Sequence, residues 1–164
     1  MSALNSSTAA DLRAALASGP PSLFDTLSKL FTAVPGVRTA TFIAVAPDRQ
    51  VTHRIGTSNP TDFPVGNVDP VDDSAWNRRI LGETLPVIGN DVAGMTAFIP
   101  ETDGLVAMGY GACSCFPIVI AGETRGLIAL LGDAGIFTPD ALAEIDTLLP
   151  IAALIFTFEG ISER

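Results

Sequence analysis

Basic residues are scarce in this sequence. Nine Lys and Arg stand against eighteen Asp and Glu in 164 residues, which gives a formal net charge of −9 at pH 7. Proteins that bind nucleic acid or anionic lipid draw on clustered Lys and Arg, and Arg78-Arg79 is the one adjacent pair. We therefore expect no nucleic-acid partner.

Long apolar runs are also missing. Gly, Pro or a charged residue interrupts each run before it reaches the roughly 18 to 20 residues that a membrane helix needs. Residues 1–8 lack the basic region and the apolar core of a secretory signal. The sequence predicts a cytoplasmic protein with no membrane partner.

Metal-ligating residue types are few: two cysteines, Cys113 and Cys115, and one histidine, His53. Two cysteines placed two residues apart on one strand do not suit ordinary disulfide geometry, so we expect reduced thiols. They also make a poor zinc site, because no further His or Cys lies at ligand spacing. We predict no metal site and no cofactor.

What the sequence does contain indicates one folded domain. Hydrophobic residues make up 48% and charged residues only 16%, a composition that argues against disorder. A chain of this length buries roughly two-thirds of the surface that its unfolded form exposes. We interpret residues 1–21 as an N-terminal helical extension and residues 22–160 as a single domain.

Helices are predicted at both ends of the chain. Thr8–Asp11 resembles a capping box that opens the first helix, and Gly19–Pro21 ends it. Ser22 is the predicted N-cap of the second helix, whose apolar residues repeat at helical spacing as far as Val34. Thr138 is the predicted N-cap of the last helix, because Pro follows it at the first helical position.

Two β-hairpins are predicted between these helices. Residues 110–132, YGACSCFPIVIAGETRGLIALLG, form two apolar runs around the short loop Ala121–Thr124, whose Gly can take positive φ. Both faces of the first run are apolar, so helices must cover one face and a second layer or a bound ligand the other. Residues 39–46 and 49–57 form the other hairpin.

The crossing between the hairpins, residues 59–110, is long and rich in turns. Crossings of this length are usually functional. We predict that it contains short elements separated by irregular chain: a possible strand at 63–65, a helix capped by Asp72 or Asp73 that ends at Gly82, an extended segment at 85–88, an irregular stretch at 89–95 and a helix at 101–108.

Two stretches resemble the GAF domain family. Cys115–Leu131 is similar to the strand, Gly-containing turn and strand near the end of a GAF domain, and Phe137–Asp140 is similar to the start of the family's last helix. Arg54–Val65, Trp76 and the Gly109–Gly111 entry to the hairpin look like stand-alone, single-domain bacterial GAF proteins.

The order of the predicted elements is similar to that of GAF domains from about Leu23 to Phe158. The resemblance implies an α+β fold, in which the N- and C-terminal helices cover one face of a central antiparallel sheet. A ligand pocket then lies on the other face, under the crossing segments.

Arg54 and Ser58 are the candidate anchors for a ligand. Arg54 is a fixed cation with a planar donor fork on a strand whose neighbours are apolar, and Ser58 follows it at the start of the crossing. A carboxylate would satisfy both residues. An exposed Arg on an edge strand explains Arg54 equally well.

His53 and Cys115 are the candidate catalytic residues if the protein is an enzyme. His53 shares a strand face with Val51 and Ile55, and its residue type suits acid–base chemistry near neutral pH. Cys113 and Cys115 share a face of a buried strand and are also candidates to line a pocket. Packed structural roles are the alternative for all three residues.

Four aromatic residues of the crossing are candidates to line the pocket, where they would offer a flat ligand a stacking surface. Ordinary packing of the cover over the sheet is the alternative explanation. These residues are Phe63, Trp76, Phe98 and Tyr110.

The leading functional hypothesis is a sensor or regulatory module that binds a small, carboxylate-bearing molecule and that forms a homodimer through its terminal helices. The alternative is a small metabolic enzyme that uses the pocket for acid–base, lyase or thiol redox chemistry on a small carboxylate or carbonyl compound. A dimeric structural partner with a vestigial pocket is a third possibility.

Overall fold

The computed structural model describes residues 5–158 of the chain. One six-stranded antiparallel sheet has the strand order β3-β2-β1-β6-β5-β4. The strands are β1 (Val37–Val45), β2 (Val51–Thr57), β3 (Val68–Pro70), β4 (Val87–Gly89), β5 (Ala112–Ile120) and β6 (Glu123–Gly132). The end of the predicted domain at residue 160 lies outside the described residues.

Helices lie at both ends of the chain and in the crossing. They are α1 (Ser6–Ser18), α2 (Pro20–Thr32), α3 (Ala75–Asn77), α4 (Val92–Phe98), α5 (Thr102–Ala107) and α6 (Pro139–Ala152). A π-helical turn, Arg78–Gly82, continues α3, and a 3-10 turn, Ala153–Thr157, continues α6. In the part of the chain from residue 5 to residue 158, none of the helices has the length and apolar character to cross a membrane.

The β5–β6 hairpin forms as the sequence predicts. Ala112 pairs with Gly132 at one end and Ile120 with Glu123 at the other. Ala121 and Gly122 make the turn, and both have positive φ, 53° and 82°, which is the geometry of a two-residue turn that matches the twist of the strands.

Each face of the sheet carries its own hydrophobic core. On one face, α2 and α6 pack over Phe42, Phe116 and Ile128. On the other face, the crossing packs over Cys113, Cys115 and their neighbours on β6. The predicted α+β architecture is confirmed, with helices on one side of an antiparallel sheet and the crossing on the other.

The terminal helices build the first core together. Leu23, Leu27 and Phe31 of α2 are fully buried, and so is Ile145 of α6. The N-terminal helix α1 packs on α2 and adds Leu12 to the same core. The homodimer expected through the terminal helices stays a prediction.

Three predicted helix starts differ from the structure. The N-cap of α1 is Asn5, whose side chain accepts from the Thr8 amide at 2.9 Å. The second helix begins at Pro20 rather than at Ser22, because proline lacks an N–H and its fixed φ suits the first turn of a helix. The cap of α3 is Ser74, next to the predicted acidic pair.

The crossing also differs from its predicted element order. Phe63 is buried in irregular chain, and the short strand of this region is β3, five residues further on. The stretch expected to be irregular contains the start of α4, because Asp91 accepts from the Gly94 amide at 2.7 Å and caps that helix.

We predict that Gly132→Ala lowers the free energy of unfolding by about 2–4 kcal/mol. A Cβ at this position would overlap the backbone carbonyl oxygen of Gly36 and the side chain of Ile136, and backbone cannot yield as a flexible side chain does. Urea denaturation measures the change.

Gly104→Ala is the matched control. A Cβ at Gly104 meets nothing within 4 Å, and the residue lies inside α5 with no positive φ. Because Ala is the better helix former, this variant should be as stable as the parent or up to about 1 kcal/mol more stable. Equal losses of stability in Gly132→Ala and Gly104→Ala would contradict the close approach of the Gly36 carbonyl to Gly132.

Candidate functional site

A cavity of about 510 Å³ lies between the sheet and the crossing, within the size range of sites for small organic molecules. Its floor is the sheet face opposite the terminal helices, and eight residues of four strands form it: Thr41, Ile43, Thr52, Arg54, Cys113, Cys115, Ala129 and Leu131. The crossing supplies the walls: Phe63, Asn67, Asp69, Pro70, Asp72, Ser74, Trp76, Asn77, Ile99, Pro100, Glu101 and Leu105.

Two buried threonines add polar groups to the floor, one on either side of Arg54. Thr41 of β1 is 2% exposed and Thr52 of β2 is 5% exposed, and both line the cavity. Neither hydroxyl has a hydrogen-bond partner among residues 5–158. Neither hydroxyl oxygen is among the fully enclosed atoms without a partner, so both are open to a molecule in the cavity.

Arg54 lies beside these threonines and is only partly used by the protein. Its Nη1 donates to the Pro64 carbonyl oxygen at 3.2 Å, and its guanidinium lies 5.5 Å from the centre of the Phe63 ring. Its Nε is buried with no hydrogen-bond partner. Among the described residues, no carboxylate forms an ion pair with it.

Burial lowers the pKa of Arg54, while the nearby carboxylates of Asp69 and Glu101 raise it. An Arg side chain in water stays protonated far above neutral pH, so this one remains a cation at physiological pH. The guanidinium therefore combines a fixed positive charge with an unused buried donor at the cavity wall.

Three exposed carboxylates stand on the solvent side of the cavity: Asp69, Asp72 and Glu101. The Asp69 carboxylate accepts a hydrogen bond from the side-chain amide nitrogen of Asn67 at 2.8 Å. Asp72 accepts from the Asn77 amide nitrogen at 2.6 Å. Hydrogen bonds from Ser74 and Asn77 lower the pKa of Asp72, so this carboxylate is ionised at neutral pH.

The two thiols occupy the opposite end of the floor, on β5. Both are buried and reduced. A hydrogen bond to Cys115 and burial raise the pKa of Cys113. Hydrogen bonds from the Cys113 thiol and from the Trp76 indole lower the pKa of Cys115, against the opposing effect of burial. Cys115 is therefore the thiol that loses its proton first.

Two of the four predicted aromatic residues line the cavity, namely Phe63 and Trp76. Phe98 lies outside it, where Arg79 stacks 5.8 Å from its ring centre. Tyr110 packs in the hydrophobic core on the cavity face of the sheet, and its hydroxyl lies 2.7 Å from the Thr39 hydroxyl. The last two residues hold the cover against the sheet.

Ser58 and His53 also lie outside the cavity lining. Ser58 serves the β1–β2 pairing, because its hydroxyl oxygen accepts from the Ala40 amide at 2.9 Å. His53 pairs with Ala44, which belongs to the core under the helices, and its Nδ1 is buried without a partner. The candidates that the structure brings together at the cavity are Arg54, Phe63, Trp76, Cys113 and Cys115.

The wall residue Trp76 is held in place through the turn that follows it. Thr124 of β6 donates its hydroxyl to the Ile80 carbonyl oxygen at 2.7 Å. Arg49, in the β1–β2 turn with φ +58°, donates to the carbonyl oxygens of Thr124 and Leu81 at 3.2 and 3.3 Å. These bonds attach the π-helical turn to both hairpins.

Sequence reasoning missed part of the lining. Thr52 was recognisable on the same strand face as Arg54, but no signal distinguished it from an ordinary strand threonine. Asp72 and Glu101 carried signals of helix caps only. Their place in the cavity lining depends on the path of the crossing, which local patterns do not fix.

Solved structures resemble this chain over most of its length. The GAF domain of a phosphoenolpyruvate-protein phosphotransferase from Acinetobacter matches with a TM-score of 0.66 at 11% identity, over 93% of this chain and 94% of that one. The GAF domain of a two-component sensor histidine kinase from Bacillus halodurans matches with a TM-score of 0.69 at 12% identity, over 84% and 93%. The fold is GAF-like.

A third GAF domain, from a phosphoenolpyruvate-protein phosphotransferase of Coxiella burnetii, matches with a TM-score of 0.64 at 13% identity, over 89% of this chain and 90% of that one. No protein-family model and no curated protein sequence matches this chain. At these identities the likeness extends to the GAF-like fold and leaves the ligand open. The fold that the sequence resemblance implied is confirmed.

We predict that Thr41→Val leaves the free energy of unfolding unchanged within about 0.5 kcal/mol or raises it, because no intramolecular hydrogen bond is lost. Thr124→Val is the matched control, since Thr124 is equally buried but bonds to the Ile80 carbonyl. The control should lose about 1–3 kcal/mol. Equal effects in thermal and urea denaturation would contradict the description of Thr41 as a free hydroxyl.

We also predict that Cys115 reacts with iodoacetamide at lower pH than Cys113, because a lowered pKa gives more thiolate at a given pH. Mass spectrometry of peptides over a pH series measures both reactions. Trp76→Phe removes the indole N–H and should move the Cys115 midpoint to higher pH. Indistinguishable midpoints of the two thiols in the parent protein would contradict the assignment.

Proposed function

We propose that this chain is a sensor or regulatory module that binds a small carboxylate-bearing molecule in the cavity, with Arg54 as the anchor. One observation carries the proposal. The Arg54 guanidinium lines the cavity, has no carboxylate partner among residues 5–158, and keeps its Nε buried without an acceptor. Leaving a charged donor unpaired in a partly buried position is unfavourable, so a ligand that supplies the acceptor gains affinity.

A carboxylate fits this anchor in shape as well as in charge. Guanidinium and carboxylate groups form planar, paired hydrogen bonds. The hydroxyls of Thr41 and Thr52 add donors to the floor on either side of Arg54. The remaining floor, with Ala129 and Leu131, is apolar and suits the carbon skeleton of a small organic acid.

The structural neighbours support a regulatory role. One of the matched GAF domains comes from a two-component sensor histidine kinase, and two come from phosphoenolpyruvate-protein phosphotransferases. In each of these proteins the GAF domain is one part of a larger protein. We therefore propose that this chain reports occupancy of its cavity to a partner rather than transforming its ligand.

The enzyme hypothesis named His53 and Cys115 as the reacting groups. Cys115 belongs to the core on the cavity face, and His53 pairs with a residue of the core on the helical face. Two groups on opposite faces of one sheet do not share a substrate. This placement favours binding over acid–base turnover.

The test is a thermal-shift screen of the purified protein against small mono- and dicarboxylic acids, followed by calorimetry on each acid that stabilises it. An acid at about a hundred times its dissociation constant adds about 2.7 kcal/mol to the free energy of unfolding. Arg54→Gln should weaken binding of the same acid by about 10–100-fold, because a charge-assisted hydrogen bond contributes about 1.5–3 kcal/mol.

Two further variants complete the test. Arg125→Gln removes an exposed arginine on β6 that pairs with Glu123 outside the cavity, and it should keep full affinity. Arg54→Lys keeps the charge but loses the planar fork, so its affinity should fall between those of Arg54→Gln and the parent. Binding that survives Arg54→Gln, or the absence of any acid that stabilises the parent, would overturn the proposal.

A further inference from the structure

The cavity gathers more negative charge than Arg54 balances. Three carboxylates converge on it from separate elements: Asp69 from β3, Asp72 from the turn before α3, and Glu101 from the turn before α5. Among residues 5–158, none of them forms an ion pair with a basic side chain. A ligand that brought only negative charge would approach Arg54 past three like charges.

The opposite charges of the cavity differ in their exposure to solvent. Arg54 is half-buried on the floor, whereas the three carboxylates belong to exposed residues, and Asp69 pairs across the strands with Thr52 of the floor. The side chains of Thr41 and Thr52 are more than nine-tenths buried and have no hydrogen-bond partner among residues 5–158, and the Nε of Arg54 is buried without an acceptor. These observations point independently to a ligand with acceptor groups at the floor.

The side chains of Glu101 and Asp69 contribute little to the stability of the fold, which leaves their carboxylates available to a ligand. Glu101 makes no hydrogen bond or ion pair through its side chain within the described part of the chain, and Asp69 bonds only to Asn67 on its own segment. Asp72 differs, because its carboxylate organises the start of α3 through Ser74 and Asn77. The first two are therefore the residues to change in a test.

Part of the cavity lining is apolar. Ala129 and Leu131 of β6 lie in the floor, and Ile99 and Leu105 stand in the wall. A hydrocarbon group placed against them leaves water and gains about 25 cal/mol for each Å² of apolar surface removed from solvent.

We propose that the ligand is a small zwitterion with an apolar side chain, the class to which apolar α-amino acids belong. Its carboxylate binds Arg54, its ammonium group lies among Asp69, Asp72 and Glu101, and its side chain packs on the apolar part of the lining. The inference rests on the proposed function, because the carboxylate anchor is the same, and it adds the requirement for a positive charge.

The experiment compares three molecules with one carbon skeleton. L-leucine carries both charges, 4-methylpentanoate carries only the carboxylate, and 3-methylbutylammonium carries only the ammonium group. L-phenylalanine, 3-phenylpropanoate and 2-phenylethylammonium form a second, aromatic set. Calorimetry on the full chain should show that at least one zwitterion binds about fivefold or more tightly than both of its single-charge analogues, since each exposed ion pair contributes a factor of about 1.4 to 5.

The double variant Asp69→Asn, Glu101→Gln tests the acidic residues. It should weaken binding of the zwitterion by about threefold or more and leave the carboxylate analogue unweakened, because only the zwitterion loses an attraction. The control is Glu123→Gln, Asp146→Asn, which removes the same charge from exposed residues outside the lining. The control should retain the preference for the zwitterion.

The outcomes separate this inference from the proposed function. A carboxylate analogue that binds as tightly as its zwitterion, and that still requires Arg54, would overturn the inference and keep the anchor. A zwitterion that binds equally well in Arg54→Gln would overturn both. No binding by any member of either set would also overturn the zwitterion assignment, while the screen of other acids would still decide the proposed function.

Discussion

Burial of both faces of β1, β6 and β5 is the constraint on which the rest of this structure depends. The strands carry apolar residues on both sides, so a single layer of helices cannot satisfy them. The terminal helices cover one face with an extended aliphatic and aromatic core. The crossing covers the other face, and its short helices are folded onto the sheet by contacts such as those of Ile80 and Met95, both fully buried.

The cavity arises where this second cover meets a polar part of the sheet. Over Leu127 of β6 the cover closes tightly, and Leu127 is fully buried. Towards β2 the floor carries Thr41, Thr52 and Arg54, whose polar groups would lose their contact with water under a sealed apolar cover. The chain therefore leaves a space of about 510 Å³ there. The same sheet face supplies a hydrophobic core at one end and a charged recess at the other.

The sequence was sufficient for the sheet and for its two faces, because alternation along 110–132 and the turn at Ala121-Gly122 are local signals. The sequence also predicted Arg54 as a ligand-binding residue, because alternation along its strand places it on the face opposite Val51, His53 and Ile55. The sequence did not predict that Ser58 lies outside the cavity lining, or that Asp69, Asp72 and Glu101 lie in it. The Ser58 hydroxyl accepts from the backbone of β1. The three carboxylates meet through contacts between segments far apart in the chain, which no local period encodes.

The two edge strands of the sheet, β3 and β4, are parts of the crossing that covers the cavity face. β3 and β4 are three residues long, and β3 includes Pro70, which cannot donate a ladder hydrogen bond. Detachment of the crossing would thus uncover the long neighbouring strands β2 and β5, whose backbone groups would be free to pair with a second chain. A molecule that holds the crossing in place acts on solubility as well as on stability, because the population with exposed strand edges falls in proportion to occupancy.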